Sequence, residues 1–277
     1  MCQFKSGIIL KNRCVIAQGS NDSHTALLEE LNIEDSRTNA MTKFVRAELI
    51  PPNDEWWTNP DTWKFHVDQD ITPDWFDNDV CRYEAEFRDA VKTWWESHVL
   101  IDKKIDELSS GYYRIKRCKV KRLLKDVQVM YDNSTVQEMY DNSTVQVMYD
   151  NSTVQRMYGN STVQRMCDNS TVQVMYGNST VQEMYDNSTV QRMYGNSTVQ
   201  VMYDNSTVQR MCDNSTVQRM CDNSTVQRMC DNSTVQVMYG NSIARDLNNG
   251  IIHVSENTNL KVIPHENKEG ELNGMDR

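Results

Sequence analysis

The side chain best placed for chemistry in this 277-residue sequence is Cys2. Loss of the initiator methionine, which is common before a small residue, leaves a thiol beside its own α-amine. Such an amine can act as general base for the nucleophile. The alternative is a partly buried cysteine on a first strand, where the thiol stays inert. A second candidate is the run His66, Asp68 and Asp70. Alternation along a strand projects all three from one face, where with His98 or Glu86 they can bind a metal or exchange protons. The same spacing describes a solvated strand face entering the turn at Pro73. We therefore expect no metal and no cofactor, and Cys2 is the single catalytic candidate.

The elements that must position any such group fall into two parts. From Met130 to Met238 a methionine opens every ninth residue, and the units read Met-Tyr-Asp-Asn-Ser-Thr-Val-Gln-x. Twelve units are complete, and the thirteenth, Met238 to Asp246, decays. Nine residues make two and a half helical turns, so successive methionines would lie on opposite sides of a helix. Strand fits better: Ser-Thr-Val-Gln is β-branched, and Asp-Asn or Gly-Asn supplies a corner. Nine residues at about 3.3 Å each are too few to circle a packed interior, so two units should make a coil of about 18 residues. The expected fold is an α+β N-terminal domain followed by an all-β, β-helix-like solenoid with two nonapeptides per coil. Its expected bounds are 1–111 for the domain and 112–252 for the solenoid. Residues 112–129 are degenerate leading units, 130–246 the regular ones, and 253–277 a C-terminal cap and polar tail. The solenoid should have about seven coils.

In this reading Met130, Met139 and Met148 with Val136, Val145 and Val154 form the inward core ladder, Met filling an irregular interior. Asn133, Asn142 and Asn151 make the turns. The position that alternates between tyrosine and cysteine faces outward, since so large a swap inside would leave a cavity. Cys212 and Cys230, eighteen residues apart, then stack on adjacent coils within disulfide reach if oxidised. Before the array, Ser6–Leu10 and Cys14–Ala17 suggest a hairpin, Ser23 a helix cap, and 42–50 and 63–68 two strands. Apolar residues at helical spacing from Asp77 predict a helix reaching Leu108.

Charge excludes some functions. The chain carries 39 acidic and 29 basic side chains, net -10. The only basic stretch, residues 112–129, has 7 basic groups and 1 acidic. Its Arg114, Lys116, Arg117, Lys119 and Lys121 can contact phosphates, but no aromatic interleaving follows Tyr112 and Tyr113, so a first coil facing an acidic N-terminal domain is expected and a nucleic-acid partner is not. No apolar run is long enough to span a membrane and no signal-peptide core opens the sequence, so the expected location is the cytoplasm. It would be the host cytoplasm if the chain is phage-encoded.

The array is similar in kind to pentapeptide- and nonapeptide-repeat β-solenoids, although its motif is neither of theirs. The segments Met1-Cys2-Gln3-Phe4-Lys5-Ser6 and Phe65-His66-Val67-Asp68-Gln69-Asp70-Ile71-Thr72-Pro73-Asp74-Trp75-Phe76 resemble an uncharacterised bacteriophage and prophage domain, which implies a mobile-element origin. The Met1-Cys2 start also resembles N-terminal-nucleophile amidotransferases and abasic-site-reactive peptidase-like proteins, with Gln3 where they usually carry glycine. The leading expectation is a non-enzymatic scaffold with a protein partner, capped by a partner-binding N-terminal domain. The alternatives are a Cys2 hydrolase or amidotransferase-like enzyme, and an acidic solenoid that mimics DNA.

Overall fold

The computed structural model describes residues 5–18, 22–109, 111–248, 251–252 and 261–264. The chain divides into two units, Met1–Ile101 and Asp102–Arg277. The first holds a four-stranded antiparallel sheet in the order β2-β1-β3-β4. These strands are β1 (Lys5–Leu10), β2 (Arg13–Ile16), β3 (Phe44–Ile50) and β4 (Lys64–Val67). Leu10 faces Arg13, so Lys11 and Asn12 alone close the first hairpin. Helix α1 (His24–Glu30) begins where the Ser23 hydroxyl accepts the Ala26 N–H at 3.4 Å. Short helices α2 (Arg37–Ala40) and α3 (Asp74–Asp77) precede the long α4 (Val80–His98).

The pleat assigns one helix to each face of this sheet. Ile8 and Phe44 pack with Leu27 and Leu28 of α1. On the opposite face, α4 buries Tyr83, Phe87, Val91 and Trp94 at helical spacing. Gly7 permits that packing, since a Cβ there would lie 2.5 Å from Phe87 Cε2 and 2.7 Å from the Val15 carbonyl oxygen. The helix expected to reach Leu108 stops at His98. Val99-Leu100-Ile101 is β-branched and apolar, Asp102 has φ 56°, and Lys104–Leu108 forms a strand.

The second unit is a parallel β-solenoid of about 8 turns at about 18 residues per coil. Strand Thr135–Met139 pairs with Thr153–Met157, and Thr144–Met148 with Thr162–Met166, so alternate units build two separate sheets. Four of the five valines at the variable position, Val129, Val147, Val201 and Val237, lie on one sheet and Val174 lies on the other. The turn count exceeds the expected seven because coil strands extend past the recognisable motif. Lys104–Leu108 pairs with Lys119–Leu123, and Lys261–Pro264 pairs with Ile243–Asn248.

Within each strand the ladder runs Thr, Val, x, Met and passes over the glutamine, as in Thr153↔Thr171, Val154↔Val172, Arg156↔Val174 and Met157↔Met175. Residues three apart on a flat strand point to opposite faces, yet Val154 and Met157 are both 0% exposed, so the chain bends at the glutamine. Met130, Met139, Met148, Val136 and Val145 are likewise 0% exposed. The serine of the unit is a third inward residue, fully buried from Ser134 to Ser233. The Ser134 and Ser152 hydroxyls donate to the Tyr131 and Tyr149 carbonyls at 2.7 and 2.6 Å. The left-handed residue of most corners is the Asp or Gly before the asparagine, such as Asp150 (φ 56°) and Gly177 (φ 66°). Asn142 and Asn151 follow it in the same turn, while Asn133 is itself left-handed at φ 60°.

Candidate functional site

Because the coils stack in register, each outward position becomes a column along the solenoid. Asn160, Asn178 and Asn196 each donate Nδ2 to the Oδ1 of the asparagine eighteen residues earlier at 3.3 Å. The backbone N–H groups of Asp150, Asp168 and Asp186 donate to the carboxylates of Asp168, Asp186 and Asp204 at 3.1, 3.0 and 3.2 Å. Tyr140, Tyr158, Tyr176 and Tyr194 stack nearly parallel, with centroids 5.2, 5.3 and 5.6 Å apart. These ladders tie each coil to the next on its outside.

The variable position carries the chemical information. On one sheet it reads Glu107, Arg122, Glu138, Arg156, Val174, Arg192, Arg210 and Arg228. Its first half alternates in sign and closes on itself: Arg122 meets Glu107 at 2.9 Å, and Arg156 meets Glu138 at 2.7 Å. The Tyr140 hydroxyl, then Arg156, hold the Glu138 carboxyl below its ordinary range. Its second half is a run of arginines. Arg192, Arg210 and Arg228 with Gln191, Gln209 and Gln227 line a groove of about 610 Å³. Among the described residues neither Arg192 nor Arg210 forms an ion pair. Like charges on adjacent strands repel, so this groove favours an anionic occupant.

The basic junction is less available than its sequence suggests. Arg117 forks onto both Asp102 oxygens at 2.7 Å and reaches Asp132 at 3.0 Å. Lys116 lies 3.7 Å from Asp132, and Lys121 lies 2.5 Å from Asp106. Arg114 donates to Gln128 at 3.1 Å. The strand Lys104–Leu108 brings Asp106 and Glu107 beside Lys121 and Arg122, so these charges are met within the solenoid unit itself. Lys119, paired in register with Lys104, belongs to the same strand as Lys121.

No protein-family model matches the chain, and no curated protein or solved structure matches it. The functional reading therefore rests on the molecule's own geometry. Among the described residues no helix is long and apolar enough to cross a membrane.

Cys2 lies outside the described residues. The His66, Asp68 and Asp70 set does not assemble: β4 ends at Val67, and Asp68 turns toward α1, where its Oδ2 lies 3.2 Å from His24 Nδ1. His24, Glu48 and Asp68 bring one nitrogen and two carboxylate oxygens within 4.8 Å of one another. His98 instead caps α4, its Nδ1 3.0 Å from the Trp94 carbonyl, and Glu86 pairs with Arg82 at 3.4 Å. Sequence spacing missed His24 and Glu48 because three separate elements deliver the cluster. A histidine at a helix start and a glutamate inside an apolar strand are the only local signals.

Cys212 and Cys230 share a hydrogen bond across adjacent coils, and burial followed by that bond pushes the Cys212 thiol up to about 11. Cys212 therefore stays protonated at neutral pH, and we expect its slow alkylation by iodoacetamide at pH 8 with a steep rise only as pH approaches about 11. Since the folded value lies above the ordinary 9.0, ionisation also removes stability as pH rises through that interval. Peptide mass spectrometry after timed alkylation of a Cys221→Ser chain, which makes Met211–Arg219 distinct from Met220–Arg228, checks this, and rapid labelling of Cys212 at pH 8 would contradict it.

Proposed function

We propose that this chain is a non-enzymatic interaction scaffold. The array presents repeated side chains to an acidic protein partner, while the N-terminal unit acts as cap and as a second partner-binding part. The observation that carries the reading is the arginine and glutamine groove along Arg192, Arg210 and Arg228, set on a core closed by methionine, valine and serine. Near-identical coils multiply one weak contact, and contacts held on one rigid frame add through effective concentration. A phage or mobile-element origin rests on the resemblance of the N-terminal segments. The partner is read as protein because the basic stretch lacks the aromatic interleaving that nucleic-acid binding uses, and the chain's net charge of -10 confines an acidic partner to the local arginine groove.

The test compares proteins retained from producing cells by the immobilised full chain and by an Arg192→Glu, Arg210→Glu variant, with Arg165→Glu, Arg219→Glu on the other sheet as control. The groove variant should lose at least about tenfold of a salt-eluted acidic protein, as expected when two charged contacts reverse sign, and the control should keep it. Equal retention by both variants would contradict the reading. So would Cys2-dependent labelling by a glutamine-analogue probe, read as intact mass against Cys2→Ala.

A further inference from the structure

The N-terminal unit contains a group of side chains that the scaffold reading does not use. Glu48 sits in β3 and is 3% exposed, yet its carboxylate has no hydrogen-bond or ion-pair partner among the described residues. Burying a carboxylate without a donor or countercharge is costly. Directly opposite on β1, Ser6 is 0% exposed and its hydroxyl is also without a partner. The sheet register puts both on the face that carries α1, which supplies His24.

Both ring nitrogens of the histidine face oxygen acceptors, and a dication at Nδ1 can stand where a second ring proton otherwise would. Its Nε2 lies 3.1 Å from the Ala47 carbonyl oxygen, which can only accept, so the ring proton belongs on Nε2. This leaves Nδ1 pointing at Asp68 Oδ2, 3.2 Å away, with a Glu48 oxygen inside the same 4.8 Å cluster. A backbone carbonyl that fixes the tautomer of an imidazole is the arrangement found behind metal-bound histidines. Asp68 is held from the other side. Its N–H donates to the Arg46 carbonyl at 2.9 Å, and neighbouring Gln69 accepts the Arg46 N–H at 2.9 Å and donates to the Ile71 carbonyl at 2.7 Å.

We propose that His24 Nδ1, Glu48 and Asp68 form a binding site for a first-row divalent cation, with Zn²⁺ as the best fit. A proton on Nδ1 satisfies Asp68 alone and leaves Glu48 without a donor; a dication between the three atoms satisfies all of them. The spacing agrees. Bonds of about 2.1 Å place neighbouring ligands about 3.0 Å apart in an octahedron and about 3.4 Å apart in a tetrahedron, and the observed nitrogen-to-oxygen distance is 3.2 Å. One imidazole with two carboxylates favours zinc, iron or nickel over the all-oxygen preference of calcium and magnesium. Three protein ligands leave coordination positions for water.

The test uses the full chain, stripped with chelator and titrated with Zn²⁺. Stoichiometry is measured by elemental analysis after dialysis, and affinity and melting temperature are measured alongside. One Zn²⁺ per chain and a raised melting temperature are expected. Glu48→Gln and the more exposed Asp68→Asn should each weaken binding at least about tenfold, as loss of a ligand must exceed the effect of losing an outer partner. Asp70→Asn should bind as the parent does, and Cys212→Ser with Cys230→Ser removes the adjacent thiol pair from the count. Should Glu48→Gln fold poorly, Asp68→Asn alone decides. No retained zinc, or retention unchanged in Asp68→Asn, overturns the proposal.

Discussion

Deleting Met175 to Glu183 is expected to destabilise the array by a few kcal/mol, whereas deleting Met175 to Arg192 leaves its melting temperature close to that of the parent. The eighteen-residue deletion removes one whole coil, since Met157 then meets the unit that follows with every sheet preserved. The nine-residue deletion moves every later unit to the opposite sheet. Later units keep their pairs with one another, so the loss falls at the new junction, where Gly195 enters the column of Asp150 and Asp168, and Arg192 leaves the sheet of Arg156 and Val174. The units are almost identical, so every excised residue takes the same kind of packing with it and the comparison isolates register. Thermal and urea unfolding of both variants checks this, and equal stability would contradict a coil of two units.

The second large effect concerns the interior. Met193 is 0% exposed and stacks between Met175 and Met211. Met193→Ala should cost about 2–5 kcal/mol, because strands tied above and below by ladders cannot collapse into the vacated space. Met193→Leu conserves volume and should cost less than about 1.5 kcal/mol. Thr189, on the outer side of the same strand, should tolerate alanine within about 0.5 kcal/mol. Denaturant midpoints at constant slope are the measurement. Equal effects of Met193→Ala and Thr189→Ala would mean that the methionine column is not the core.

The repeat made the solenoid legible because its period is arithmetic. A nine-residue unit cannot keep one helical face or circle a core alone, and the valines of the variable position fall mostly on alternate units. Serine was legible in principle, for it persists even in the decayed thirteenth unit, Met238 to Asp246. Its polarity concealed its burial. Ser134 and Ser152 return a hydrogen bond to a carbonyl three residues back, whereas the hydroxyls of Ser143 and of the unit serines from Ser161 to Ser242 are buried without a partner, and smallness is what admits serine to the narrow corner. The first coil was hidden in Lys104–Leu108, where no motif survives and the apolar spacing of Val99 and Ile105 imitates a helix. Register alone reveals it, by setting Glu107 beside Arg122. The His24, Glu48 and Asp68 cluster was illegible for a different reason. Its members are separated by more than twenty residues in one step and by twenty in the next, and only the antiparallel order β1-β3-β4 with α1 above it brings them together.

The central claim is that the array turns once every eighteen residues, and its cysteines test it with two single substitutions. Cys212 and Cys230 lie one coil apart on the same side, while Cys221 belongs to the opposite sheet. Trypsin cleaves after Arg210, Arg219 and Arg228, but Met211–Arg219 and Met220–Arg228 are identical in sequence, so Cys212→Ser and Cys221→Ser variants tell the two thiols apart. Mild oxidation of each folded variant with diamide, followed by digestion under non-reducing conditions, should join the peptide that starts at Met229 to Met211–Arg219 in Cys221→Ser, and should leave Cys221 a free thiol in Cys212→Ser. A predominant link from Cys221 to Cys230 in Cys212→Ser would place residues nine apart in contact and contradict the two-unit coil.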